Sequence, residues 1–137
     1  MSNKIFSPAP FWQDQGLAII RILVGFFMIY HGWEIFYSAK MAEYQKWDVI
    51  KVLPAPVLMV YLGKAFELIS GICFVLGLFT RPAAIFMAIT MLFICFKIGN
   101  GRFYSEDQHP FLFALLAMVF FFTGPGSFSL DNTFFKK

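Results

Sequence analysis

Four long apolar runs constrain this chain more than any other feature. A bilayer core about 30 Å thick takes about 20 mostly apolar residues per helix. The runs cover 16–36, 57–79, 82–98 and 105–123. Pro82 suits the first turn of the third. The fourth has a continuous apolar core only over 110–123, but its start moves back because Ser105 and Gln108 have the spacing of a capping box. That places Glu106, Asp107 and His109 in the first turn, where acids favour the helix dipole. Gly124-Pro125-Gly126 stops the run. The expected fold is all-α: an integral membrane four-helix bundle, one transmembrane domain over 1–137.

Composition excludes most alternatives. The chain is 59% hydrophobic and only 14% charged. Soluble domains usually carry about a quarter of their residues as charges. Its 20 Phe are too many for one small aqueous core. A soluble enzyme, a disordered chain and a nucleic-acid binder are therefore poor descriptions. The net charge of +3 and the pI near 9.0 fit basic loops and tails of a membrane protein. The first run is too long for a signal-peptide core and carries Arg21, so it reads as a span. Cys73 and Cys95 form no C-x-x-C pair and read as buried small hydrophobes.

Four spans put both termini on one side. That side carries Lys4, Arg81, Lys136 and Lys137, and the other carries Lys40, Lys46, Lys51, Lys97 and Arg102. The balance orients the chain weakly; Arg21 and the double Lys at the tail favour both termini on the cytoplasmic side. In the long first loop, Met41, Tyr44, Trp47, Ile50 and Leu53 recur at helical spacing among charges. This predicts an amphipathic helix lying on the membrane, broken by Pro54 and Pro56.

Charged side chains inside apolar spans cost about 2.5–3.5 kcal/mol each on insertion scales unless paired or hydrated. Glu34 and Lys97 sit near span ends and read as solvated. Glu67 lies near mid-span, too short to reach the surface, with Lys64 one turn away on the same face. Gly71 continues that face, and Gly63, Ser70 and Gly77 form a small-residue line beside it. Span one has a comparable stripe at Arg21, Gly25, Met28 and Gly32. Glu67 is expected to contact Arg21 across this seam, Lys64, or both, as a buried charge pairing of Arg21, Glu67 and Lys64; Arg21 reaching out to the nearer surface is the alternative.

His31, Glu34, Lys64, Lys97, Glu106, Asp107 and His109 all fall towards the long-loop end. They suggest a polar vestibule open to that side with Glu67 at its floor. A rim of solvated helix ends explains the same distribution, and both readings stand at this point. Glu106-x-x-His109 has di-iron spacing, but such a site wants two such helices and two further Glu, so no metal site is expected. Phosphate-binding loops, nucleophile elbows and dinucleotide fingerprints are missing from the sequence.

Four stretches in order resemble the DoxX family of small four-helix membrane proteins. They are RILVGFFMIYHGW at 21–33, ELISGICFVLGLFTRPA at 67–83, the loop at 99–106, and GPGSFSLD at 124–131. One departure is Glu34, near which members often carry Lys. The resemblance implies a helical bundle in the cytoplasmic membrane of a bacterium or archaeon, a bacterial one above all. In some members it also implies thiosulfate–quinone oxidoreduction or complexes handling thiol and oxidative stress.

Two functions follow from these features. The first is a redox-associated subunit that binds a lipophilic small molecule such as a quinone, alongside a membrane or periplasmic oxidoreductase partner. Its ligand site would gather His31, Lys64, Glu67 and His109, with Tyr30 and Trp33 as apolar walls. The second is a non-enzymatic membrane component that assembles with another protein. Whether the chain catalyses a reaction, and whether it forms a homo-oligomer, is not written in these residues.

Overall fold

The protein, as a computed structural model, is described over residues 5–135; Lys4, Lys136 and Lys137, three of the charges weighed for orientation, lie outside that range. Helix α1 (Gln13–Gly32) continues through a 3-10 turn (Trp33–Phe36). Two short helices follow, α2 (Ser38–Gln45) and α3 (Asp48–Lys51). Helix α4 (Pro56–Leu76) leads into α5 (Thr80–Phe93), which ends in a π turn (Ile94–Ile98). Helices α6 (Gln108–Thr123) and α7 (Leu130–Phe135) complete the described chain. Three rods, Gln13–Phe36, Pro56–Leu76 and Thr80–Ile98, are long and apolar enough to cross a membrane. The fourth, α6, is apolar but shorter. At the rise of an α-helix it extends for about 24 Å.

The backbones of α1 and α4 touch. A Cβ on Gly25 would stand 2.7 Å from the Gly71 carbonyl oxygen, and one on Gly71 would stand 2.7 Å from the Gly25 carbonyl oxygen. One on Gly32 would run into the backbone of Leu68. Gly25 facing Gly71 and Gly32 facing Leu68 make the pair antiparallel. Gly71, on the Glu67 face, therefore makes the seam. The neighbouring line at Gly63, Ser70 and Gly77 does not run along it as one stripe. Ser70 is buried, a Cβ on Gly63 would meet nothing within 4 Å beyond its chain neighbours and its own helix backbone, and Gly77 ends the helix at φ +67°. Helices α5 and α6 form the second closely packed pair, and Val24, Met28, Phe74, Met87, Ala117 and Phe120 fill the core between the pairs.

That register separates Arg21 from Glu67, so of the two expected partners Lys64 meets the carboxylate and Arg21 does not. Arg21 lies one turn before Gly25, and Glu67 lies one turn before Gly71 on an antiparallel helix. The two are thus displaced in opposite directions, about 12 Å apart along the seam from the rise of an α-helix. Arg21 is 1% exposed and donates to three backbone carbonyls: Phe74 through Nε at 2.8 Å, Phe128 through Nη2 at 2.7 Å, and Pro125 through Nη1. It ties α1 to the end of α4 and to the segment between α6 and α7.

The same end holds the α4–α5 link, whose limits differ from the sequence expectation. Helix α4 stops at Leu76 because Gly77 takes the left-handed conformation, with Leu78 N–H bonding Cys73 O at 2.9 Å in a Schellman closure. Helix α5 starts at Thr80, two residues before Pro82. Orphan amides at a helix start need outside acceptors. Here they come from far along the chain: the Asp131 carboxylate accepts from Phe79 N–H at 2.6 Å and Thr80 N–H at 2.8 Å. Arg81 Nε donates to the Phe121 carbonyl at 2.9 Å, near the end of α6. Ser127 Oγ donates to Asp14 at 2.9 Å, so the start of α1 and the segment after α6 meet at one end of the bundle.

At the opposite end α6 begins at Gln108, three residues later than the capping-box reading. Asp107 is engaged in the loop instead, where its carboxylate accepts from Asn100 N–H at 2.9 Å and Arg102 N–H at 3.0 Å. The amphipathic segment of the first loop forms α2 and α3 as two pieces, and its apolar face packs on the bundle. Met41 and Ile50 are buried against Val60, flanked by Ile35, Leu53 and Ile98.

Arg21→Ala leaves the Pro125 and Phe128 carbonyls without their donor and takes one of two donors from the Phe74 carbonyl, which keeps Gly77 N–H. At about 1–3 kcal/mol for each buried group left unpaired, we expect a loss of about 3 kcal/mol or more in detergent unfolding. Arg81→Ala, at an exposed position, should cost far less, and equal losses would contradict the staple. Gly25→Leu, which forces the α1 and α4 backbones apart, should lower the melting temperature as severely as Arg21→Ala.

Candidate functional site

Between the two helix pairs, at the long-loop end, lies a cavity of about 280 Å³. Helix α4 contributes Val60, Gly63, Lys64 and Glu67; α1 contributes Met28 and His31. From α5 and its π turn come Thr90, Met91, Ile94 and Ile98, and from α6 His109 and Phe113. The volume is near the lower bound of the range usual for small-molecule sites, about 300–1,000 Å³. Its lining is apolar with a few polar groups, as such sites are.

His31, Lys64, Glu67 and His109 all face this one space. Tyr30 and Trp33 do not line it. Tyr30 is 75% exposed, its ring against His31 at 5.5 Å, and Trp33 packs on Phe36 at 4.9 Å on the outside. Both turn to the outer side of the chain at this end of α1, away from Met28 and His31, which line the cavity. The aromatic walls come from the first loop: Tyr44 and Trp47, with Ile50 and Leu53, roof the cavity from the long-loop side. The vestibule read as open towards that side is thus covered by α2 and α3. The apolar periodicity of the loop carries the signal, but it does not distinguish a lipid surface from a protein one.

Lys64 is the centre of the polar cluster. Its Nζ stands 3.1 Å from Glu67 Oε2, 3.3 Å from Glu34 Oε2 and 3.3 Å from the His31 carbonyl oxygen. An ammonium has three protons, so these three contacts occupy it fully. Glu67 lies one residue past the midpoint of α4, and its side chain is 5% exposed. Glu34, read from the sequence as a solvated end, is half-buried and accepts a hydrogen bond from the Tyr44 hydroxyl. Lys64 Nζ also stands 5.0 Å from the centre of the Tyr44 ring, within cation–π range. Burial pushes the Tyr44 phenol above its ordinary pKa, and donation to Glu34 pushes it the same way. Tyr44 therefore remains a donor and anchors α2 to the cluster.

The two histidines are differently placed. Their rings meet edge to face at 5.7 Å, bridging α1 and α6, and His109 also packs on Phe113 at 4.9 Å. The hydrogen bonds of the cluster run through Tyr44, Glu34, Lys64 and Glu67, leaving both imidazoles unpartnered among the described residues. Lys97 is exposed, and Glu106 pairs on the surface with Arg102 at 3.4 Å, so neither joins the cavity.

Removing one member of a buried ion pair can cost about 3–5 kcal/mol. Lys64 keeps Glu34 when Glu67 is lost, so Glu67→Ala should fall at the low end of that range and still exceed Glu34→Ala in detergent unfolding. Equal melting temperatures for the two variants would count against a buried Lys64–Glu67 pair. For Tyr44 the raised folded-state pKa fixes the sign. The stability gap between wild type and Tyr44→Phe should be full below about pH 10, the free tyrosine value, and close as pH climbs through the raised one. A gap that vanished below that pH would exclude the Tyr44–Glu34 bond as its source.

The DoxX family profile matches residues 16–100 of this chain. The matched part holds Arg21, His31, Lys64 and Glu67, and ends before His109 and the GPGSFSLD segment. A protein of Haemophilus influenzae described as uncharacterised is 32% identical over 130 aligned residues, which cover 88% of this chain and 92% of the relative. No solved structure matches. With the profile covering more than half of the chain and a relative of this identity over most of it, the chain belongs to the DoxX family.

Proposed function

We propose that this integral membrane protein binds a lipophilic small molecule with a carbonyl-bearing head group, of which a quinone is the type, and serves as a redox-associated subunit beside an oxidoreductase. One observation carries the reading: two imidazoles without partners among the described residues face the same apolar cavity as a saturated Lys64 cluster. A quinone oxygen needs hydrogen-bond donors, and a neutral imidazole has one N–H to give. His31 and His109 are the donors, because Lys64 has none left. Lys64, Glu34 and Glu67 act as positioning residues that hold α1, α4 and α2 around the space. Glu67 is also the group nearest the cavity floor that can take or give a proton if the bound ring is reduced. Electrons would come from the partner chain.

Titration of a short-chain quinone analogue into purified, lipid-supplied protein tests this. We expect saturable binding to wild type and about tenfold weaker binding to His109→Phe, the worth of one hydrogen bond of about 1.4 kcal/mol. Glu67→Gln should weaken binding indirectly, by loosening Lys64. If folded wild type shows no saturable binding, the ligand site falls and a membrane assembly role for a partner protein takes its place.

A further inference from the structure

The glycines of α1 and α4 divide by what a side chain would meet at each. Gly25, Gly32 and Gly71 are required by backbone contact, and Gly77 by its left-handed conformation. Gly63 meets neither need. It lies in the interior of α4 with an ordinary helical backbone, and beyond its chain neighbours and the local backbone of its own helix nothing comes within 4 Å of a Cβ built there. Gly is a much poorer helix former than Ala, so an unexplained one in a helix interior has a local cost. Gly63 also lines the cavity, beside Lys64 and one turn from Glu67. The missing side chain therefore leaves a bare patch of helix backbone as one wall of the candidate site.

We infer that Gly63 is a ligand-contact and specificity position, where the flat face of a planar ring lies against the α4 backbone. The inference rests on the ligand-site reading above and narrows it. A strip of bare helix beside a larger residue at each neighbouring turn is a flat-bottomed recess. A planar head group fills such a recess with van der Waals contact over its whole face. A flexible acyl chain, which touches along a line and loses rotamer freedom on binding, gains less there. The histidines would hold the ring edge by its oxygen, and Gly63 would set how thick the ring can be. This excludes branched or puckered head groups as good ligands and makes a simple lipid tail a poor one.

A size series at this position tests the inference, with Gly63→Ala, Gly63→Val and Gly63→Leu in the full chain. The probes are a short-chain quinone analogue and a fluorescent fatty acid, and each variant's melting temperature without ligand is recorded. Quinone-analogue affinity should fall stepwise with side-chain volume and be at least tenfold weaker in Gly63→Leu. The unliganded variants should melt at or above the wild-type temperature, because the new side chain enters empty space and raises helix propensity. Three results would overturn the inference while leaving the binding site intact. They are undiminished quinone-analogue binding in Gly63→Leu, tighter binding of the fatty acid than of the ring probe by wild type, and a melting temperature that falls along the series before any ligand is added. Wild type that binds neither probe would remove the parent reading, and this inference with it.

Discussion

Arg21 holds the non-cavity end of the bundle together. A guanidinium that is 1% exposed inside an apolar protein is tolerable only if its donors are occupied. Here three backbone carbonyls take them. Two of those carbonyls, at Pro125 and Phe128, belong to a segment with no helical structure of its own between α6 and α7. Arg21 thus gives that segment its place, and the segment then delivers Asp131 to the start of α5. One buried cation in α1 ties the end of α4 to the path of the chain after α6, and through Asp131 to the start of α5. The GPGSFSLD stretch owes its composition to this geometry: Gly124 and Gly126 have positive φ, Pro125 presents its carbonyl, and Asp131 caps.

The glycine contact decides what Arg21 cannot do. Because Gly25 meets Gly71 directly, α1 and α4 have no freedom to slide, and each charge is held to its own half of the seam. Arg21 is assigned to one end and the Glu67–Lys64 pair to the other. Two separate charge systems result, one closed by backbone carbonyls and one by side chains. The first is architectural. The second, with two carboxylates on one ammonium, leaves two neighbouring histidines without a bond among the described residues, and that asymmetry makes it the candidate site.

Much of this is legible in the residues. Run lengths locate the helices to within a few positions, and the helical spacing of Lys64 and Glu67 places them together. Alternation of direction brings His31 and His109 to the same end as Lys64. What the residues do not show is contact between elements far apart in sequence. No local pattern announces that Asp131 caps a helix starting at Thr80, so a start at Pro82 rests on first-turn preference alone. An Arg21–Glu67 pairing fails because side-chain reach says nothing of the antiparallel register that sends the two residues opposite ways. Tyr30 and Trp33 stand next to the lining stripe in sequence, while the aromatic walls come from Tyr44 and Trp47, whose periodicity fits a membrane surface and a protein roof equally well.

The roof bears on how the site is reached. With α2 and α3 packed over the long-loop end through Met41, Ile50 and the Tyr44–Glu34 bond, an aqueous path to the cavity has to displace a buried apolar cluster. Helices α1 and α6 approach each other chiefly through ring contacts, Phe27 with Phe113 at 6.4 Å and His31 with His109 at 5.7 Å. Phe27 and His109 are exposed, and exposed side chains change rotamer on timescales far shorter than those of helix or lid movement. A ligand already dissolved in the bilayer would meet the two unpartnered histidines first and the Gly63 recess behind them. A site reached in that way would sample the membrane, with the polar cluster beneath the roof holding α1, α4 and α2 in place around it.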